Sequence, residues 1–217
     1  MTEPILPPLL NAVQSEAPFE SAINNVQIRK AGAGDLLWSK DQKRVKFAII
    51  LEPDVSTEKA VEMLPLTLVA LGDCLGVVVP PQVGVQFRPP LQATVNAGIV
   101  GGVEAAMAET KSVSDIPDWL VVGIEVGLAR QNDDAEPGLD PDITTLDEEG
   151  CEDLDRNKFI ETFARHFLSW MAIWDDDGFA PIARSWKFKA EDESDPIIEM
   201  MLEMTKRYPS TFESNTK

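Results

Sequence analysis

Two hydrophobic periods alternate along the chain. Val45 to Leu51, VKFAIIL, is a run of apolar and β-branched residues and predicts a strand. Beyond it, Ser56 or Thr57 is placed to cap a helix in which Val61, Leu64, Leu68 and Leu71 fall at helical spacing. Gly76 would end that helix, and Pro65 predicts a kink or break within it. Strand-like runs follow at Gly84–Phe87 and in TVNAGIVGGVEAAMA, where Asn96-Ala97-Gly98 supplies a hairpin turn. Asp118–Ala129, DWLVVGIEVGLA, predicts a further strand. The clearest amphipathic helix runs from Arg156 to Trp174, with Phe159, Ile160, Phe163, Phe167, Trp170, Met171 and Trp174 on one face.

The flanks are less periodic. A leader with Pro4, Pro7 and Pro8 precedes a short helix in PFESAINNVQIRK and a loop at AGAGDLLW. Gln131–Asp155 holds eleven carboxylates and no Lys or Arg, which predicts a solvated loop or short-helix region. Past Lys189 the chain is acidic, helical at PIIEMMLEMTKRY, and frays at STFESNTK. Hairpin strands followed by segregated helices give an α+β fold, a mostly antiparallel or mixed central sheet with helices packed on it. The organisation expected is a leader over 1–17, one domain over 18–189 and an acidic tail over 190–217.

Composition narrows the function classes. The 217 residues are 44% hydrophobic and 26% charged, an ordinary globular balance. Nineteen Lys and Arg against thirty-seven Asp and Glu leave a net charge of −18, which repels phosphate backbones and anionic lipid. Neither nucleic acid nor membrane is therefore an expected partner. No run approaches the eighteen or so consecutive apolar residues of a membrane helix, and the N-terminus lacks the basic and apolar regions of a secretory signal. Cys74 and Cys151 cannot build a disulfide framework, so a reducing, cytoplasmic setting is expected.

Most candidate chemistry reads as structure. AGAGDLLW lacks the Lys-Ser/Thr of a phosphate-binding loop and precedes a strand, so it reads as a turn. His166, the sole histidine, lies beside the apolar stripe of its helix and reads as a packing residue. Cys151 is flanked by Glu149, Glu152 and Asp153, and negative neighbours disfavour a thiolate. No metal site is expected, since DDDG (Asp175–Gly178) and DPD (Asp140–Asp142) lack EF-hand spacing. Gly101-Gly102 either admits a ligand or a second backbone close to a strand, or marks a β-bulge. Gly123 and Gly127 likewise suggest close approach.

The order of these motifs resembles the biotin/lipoate protein ligase family, specifically the catalytic domain of biotin protein ligases, over Pro18 to Trp186. TTLDEEGCEDLDRNKF is similar to the family's "SL-x-E-E-x-G" segment and the helix after it. Trp174, Gly178, Phe179 and Trp186 match its "W-x-x-x-G-F-x-x-x-x-x-x-W" ending. DWLVVGIEVG resembles "VVIGIGINV", with Glu125 and Gly127 in place of the second glycine and the asparagine. TVNAGIVGGVEA resembles "LVNGKKVGGILVE", and AGAGDLLWS echoes the arginine-rich "GRGRRGRxWxS" loop. The resemblance implies a ligase-type catalytic-domain fold. It also implies an activity that joins a carboxylic acid to AMP and then acylates a lysine of a carrier protein.

The departures bear on that activity. In this register the family's catalytic lysine is Ile99, the loop arginines are absent from Ala33-Gly34-Asp35-Leu36-Leu37, and "KWPND" has become Gln86-Phe87-Arg88-Pro89-Pro90. An isoleucine cannot neutralise an oxyanion, and losing one such donor typically costs about 100- to 1000-fold in rate. A degenerate active site is therefore expected, retaining a cleft for a small carboxylic acid or acyl ligand of the biotin, lipoate or fatty acyl class. Ligand-binding candidates are Gly32, Gly34, Trp38, Ser39, Asn96, Ile99, Val100, Gly101, Gly102 and Gly123. Arg88, Arg29 and Lys30 are candidate substitute cations for an active ligase, in which case ATP and Mg would be required, or for an acyltransferase using a pre-activated acyl donor. A protein-interaction module with a closed cleft is a third option, and the family allows a homodimer through sheet edges. Thirty-one residues after Trp186 and seventeen before Pro18 leave room for neither a β-barrel nor a DNA-binding appendage.

Overall fold

Apolar runs at the chain's centre become the middle of a mixed sheet. The computed structural model describes residues 3–130, 142–151 and 154–208. In order, its elements are β1 (Asn11–Gln14), α1 (Pro18–Gln27), β2 (Asp35–Trp38), β3 (Arg44–Leu51), α2 (Thr57–Ala60), α3 (Met63–Val78) and β4 (Val85–Arg88). There follow β5 (Gln92–Val95), β6 (Gly98–Ala108), β7 (Leu120–Gly127), α4 (Arg156–Asp177), α5 (Ala180–Lys189), α6 (Ile198–Met204) and β8 (Lys206–Tyr208). The strand order is β1-β2-β3-β7-β6-β5-β4, with β8 added to β6. Only β1·β2 and β6·β8 are parallel among these pairs.

Alternation along the strands gives the sheet two faces. Leu36, Trp38, Val45, Phe47, Ile49, Val122, Ile124 and Val126 point toward α3, α4 and α5 and form the main core. Leu37, Ala48, Ile50, Ala106 and Val121 point the other way and are covered by Phe19, Ala22, Ile23 and Val26 of α1. Helix α1 reaches only part of that second face, which leaves the rest as an open floor.

Helix α3 lies between the sheet and α4, and is apolar nearly all round for that reason. Thr57–Val78 is long and apolar enough by length and composition to cross a membrane, although most of its surface is buried in this core. The break expected at Pro65 falls earlier, at Val61–Glu62. Pro65 itself sits in the first turn of α3, where its missing N–H leaves no helical bond unmade. Ser56 occupies the N-cap of α2 without a side-chain bond; the N–H groups of Thr57 and Glu58 donate instead to the Asp115 and Val113 carbonyls.

Several segments differ from their sequence reading. Asp35–Trp38, expected in a loop, is strand β2, and part of the leader forms edge strand β1. Lys206–Tyr208, expected to extend the last helix, pairs with β6. Helix α3 continues past Gly76 to Val78, and α4 past Trp174 to Asp177, where Gly178 (φ 73°) ends it. The segment STFESNTK and residues 131–141 and 152–153 of the acidic stretch lie outside the described residues.

Candidate functional site

The open floor takes its character from register. Lys46 pairs with Glu125, Arg44 with Gly127, Gly102 with Glu125 and Glu104 with Gly123. With a side-chain period of two, Arg44, Lys46, Glu104 and Glu125 therefore share the face that α1 leaves uncovered. A cleft of about 840 Å³ opens there, with Arg44, Ile99, Gly102, Glu104, Glu125 and Arg130 among its lining residues. Residues 142–146 form one rim. Ile99 donates to the Asp142 carbonyl (2.8 Å), Thr144 to that of Ile99 (2.9 Å), and Leu146 to that of Gly127 (3.0 Å).

The charges in this cleft are matched. Arg44 Nη1 donates to Glu125 Oε1, and Lys46 Nζ lies 3.8 Å from both Glu125 Oε2 and Asp41 Oδ2. Arg130 donates to Glu148 Oε1 (2.9 Å) and to the Ile143 carbonyl (3.0 Å), which fixes its guanidinium at the rim. The Arg130 hydrogen bond holds the Glu148 carboxyl below its ordinary range. Burial pushes the Glu104 carboxyl up, opposed by Lys206 at 3.5 Å. The apolar part of the lining comes from Leu91, Ile99, Val100, Val103 and Met204.

The candidates chosen from sequence do not form one site. Ile99, Val100, Gly101 and Gly102 line the cleft. Gly32 and Gly34 lie at the other end of the sheet, where Gly34 donates to the Ile50 carbonyl. Arg29 and Lys30 are at that end too, around a separate cavity with Glu52 and Asp118. Arg88 is engaged on β4 by Glu191 (3.1 Å) and the Ala97 carbonyl (2.9 Å). Trp38 is buried in the core below the Arg156 guanidinium, and Ser39 sits in the β2–β3 turn, donating its N–H to the Lys46 carbonyl. Asn96 is a turn residue whose side chain bonds Gly84 and Glu149.

The glycines are explained by packing. Ala93 pairs with Gly101 and Thr94 with Ile99, so Val100 is the extra residue of a β-bulge. A Cβ on Gly101 would stand 2.1 Å from the Glu125 carbonyl oxygen, and one on Gly123 2.6 Å from the Phe19 ring. Close approach is real at both, but its agents are strand β7 and helix α1. His166 is half-buried on α4. Cys151 has its thiol pushed up, chiefly by burial and further by Glu149 and Asp147.

Beside Ile99 the cleft holds two cations that the sequence reading did not name, since Arg44 and Arg130 both line it. They escaped sequence reading because they lie 55 and 31 residues from Ile99 along the chain and meet it only through the β3-β7-β6 order. Strand alternation from Lys46 and Glu125 was the available signal for Arg44.

Residues 6–188 match the sequence profile of the biotin/lipoate A/B protein ligase family. A biotin–[acetyl-CoA-carboxylase] ligase of Paracoccus denitrificans is 30% identical over 163 residues, covering 74% of this chain and 66% of that protein. The chain thus spans slightly under two thirds of that relative's length. A solved biotin protein ligase-like protein of unknown function from Silicibacter sp. TM1040 superimposes with a TM-score of 0.77 at 30% identity, over 87% of this chain and 81% of that one. Biotin protein ligase from Aquifex aeolicus shares the fold, with a TM-score of 0.66 at 16% identity over 84% and 78% of the two chains. The sequence match runs through the strands and helices that build the cleft, and the chain belongs to the biotin/lipoate A/B protein ligase family.

Proposed function

We propose that the chain binds a small carboxylic acid of the biotin, lipoate or fatty acyl class in the β6–β7 cleft and does not adenylate it. The observation that carries this reading is the cleft's pairing of guanidinium groups with an apolar strip. Arg44 and Arg130 give a carboxylate two charge-assisted partners, and part-exposed Ile99 and exposed Met204 give an acyl chain a surface to cover. A ligand carboxylate can take the place of Glu125 on Arg44, one anion exchanging for another, and the apolar strip then covers the chain behind it. A triphosphate fits this donor set poorly, because Glu104 and Glu125 would face it. The segment that resembles the family's arginine-rich loop, Ala31–Leu37, holds no arginine to cover a nucleotide. The acid, once seated, is therefore held and oriented by this chain's residues.

Arg44 and Arg130 also favour a second reading, an ATP-dependent ligase acting on a carrier protein with these arginines standing in for a lysine at position 99. Pyrophosphate exchange into ATP separates the two. With biotin, lipoate or octanoate present, the first reading predicts exchange no faster than without acid. Acid-dependent exchange that falls in Arg44→Ala establishes the second.

A further inference from the structure

We propose that the cavity beneath the N-terminal leader is a second ligand site, selective for a small amphipathic amine carrying one protonated amino group and an apolar body. The cavity holds about 400 Å³ and is walled by Leu10, Leu51, Met63, Phe167, Met171 and Trp174. That volume lies within the range of ligand cavities, roughly 300–1,000 Å³. Its roof is fixed at both ends: Ile5 N–H donates to Glu161 (2.7 Å) and Asn11 N–H to the Gly34 carbonyl (2.9 Å). Strand β3 runs from Arg44 in the cleft to Leu51 in this cavity, seven rises or about 23 Å, so the two sites are separate.

Charge selects the occupant. Glu52 and Asp54 line the mouth, both exposed, and among the described residues neither is ion-paired. This contrasts with the β6–β7 cleft, where Glu104, Glu125 and Glu148 each have a cation. The Trp174 indole is oriented by donating to Glu62 (2.6 Å), and Lys59 Nζ lies 5.0 Å from its ring. Arg29 and Lys30 face Glu52 across the neighbouring cavity, beside Asp35 and Asp118. With Lys59, three cations thus stand against Glu52, Asp54, Glu62, Asp35 and Asp118, and this end of the molecule stays negative, which favours an ammonium group and disfavours the carboxylic acids expected in the cleft. The apolar walls take the rest of the molecule.

Calorimetric titration with hexylammonium, hexanol and hexanoate tests the site, with the Trp174 indole N–H signal in NMR reporting where binding occurs. Saturable one-to-one binding is expected in the order hexylammonium, hexanol, hexanoate, with the Trp174 signal moving. Glu52→Gln with Asp54→Asn, both surface changes, should bring hexylammonium down to the level of hexanol, about tenfold weaker. Met171→Arg should abolish binding. No saturable binding, equal binding of hexanoate, or hexylammonium affinity unchanged in the double carboxamide variant overturns the proposal, and the last comparison decides even where Met171→Arg does not fold.

Discussion

Arg44 at the start of β3 is ion-paired across the sheet to Glu125 of β7, a diagonal contact between residues 81 apart in sequence. Both side chains are part-exposed on the cleft floor. The pair keeps the guanidinium aimed over β6 and β7, and also occupies the position a ligand carboxylate would take.

Neutralising the competitor should therefore help the ligand. Glu125→Gln removes the charge that an incoming carboxylate displaces while keeping the side chain's size. A bound carboxylic acid should tighten about three- to tenfold, the scale of a part-exposed ion pair. Calorimetry with the wild-type chain as reference measures it; weaker binding would show that Glu125 is itself a ligand contact.

Acidity should act through Glu104. Its carboxyl titrates above the usual carboxylate range because burial disfavours its charged form. It takes up a proton as pH falls through that raised range, and one negative charge leaves the cleft. Carboxylate affinity should therefore rise as pH is lowered from neutrality toward the range where the ligand acid itself protonates, by up to about fivefold, and Glu104→Gln should flatten the profile. Dissociation constants across that window check the sign.

Two glycines should respond oppositely to alanine. At Gly101 a Cβ would collide with the Glu125 carbonyl at 2.1 Å and the Val126 Cα at 2.8 Å, both backbone. Gly101→Ala should cost about 3 kcal/mol or more in urea unfolding. Gly76 is exposed within α3, and a methyl group added there would meet nothing within 4 Å, so Gly76→Ala should gain about 0.5–1 kcal/mol.

The β5–β6 hairpin carries a removable strain. Asn96 (φ 49°) and Ala97 (φ 69°) are both left-handed, as a two-residue hairpin turn requires, but alanine fits that region poorly. Ala97→Gly should stabilise by about 0.5–1 kcal/mol, read as a higher urea midpoint with an unchanged slope.

Local signals were sufficient for much of the fold. Strands β3 and β7, helix α4 and the Asn96 turn follow from runs and periods that burial itself imposes. Strands β1 and β8 are four and three residues long and pair with partners 24 and 100 residues away, so neighbouring sequence carries little trace of them, while β2 is four residues that read as the end of a glycine-containing loop. The cleft was legible on β6, where Ile99 and Gly102 stand close in sequence. Arg44 and Arg130 reach it through sheet order, and motif spacing is blind to that. Gly32 and Gly34 show the converse: a turn from their own residues and ligand-binding candidates only by the family resemblance, they lie at the opposite end of the sheet from the cleft.

Calorimetric titration of biotin, lipoate and octanoate into the wild-type chain and into Arg44→Ala/Arg130→Ala measures the central claim directly. At least one acid should bind the wild-type cleft and lose about 100-fold in affinity when both guanidinium groups are gone, as two charge-assisted bonds would give. Binding that survives their removal, or no binding of any of these acids, would contradict it.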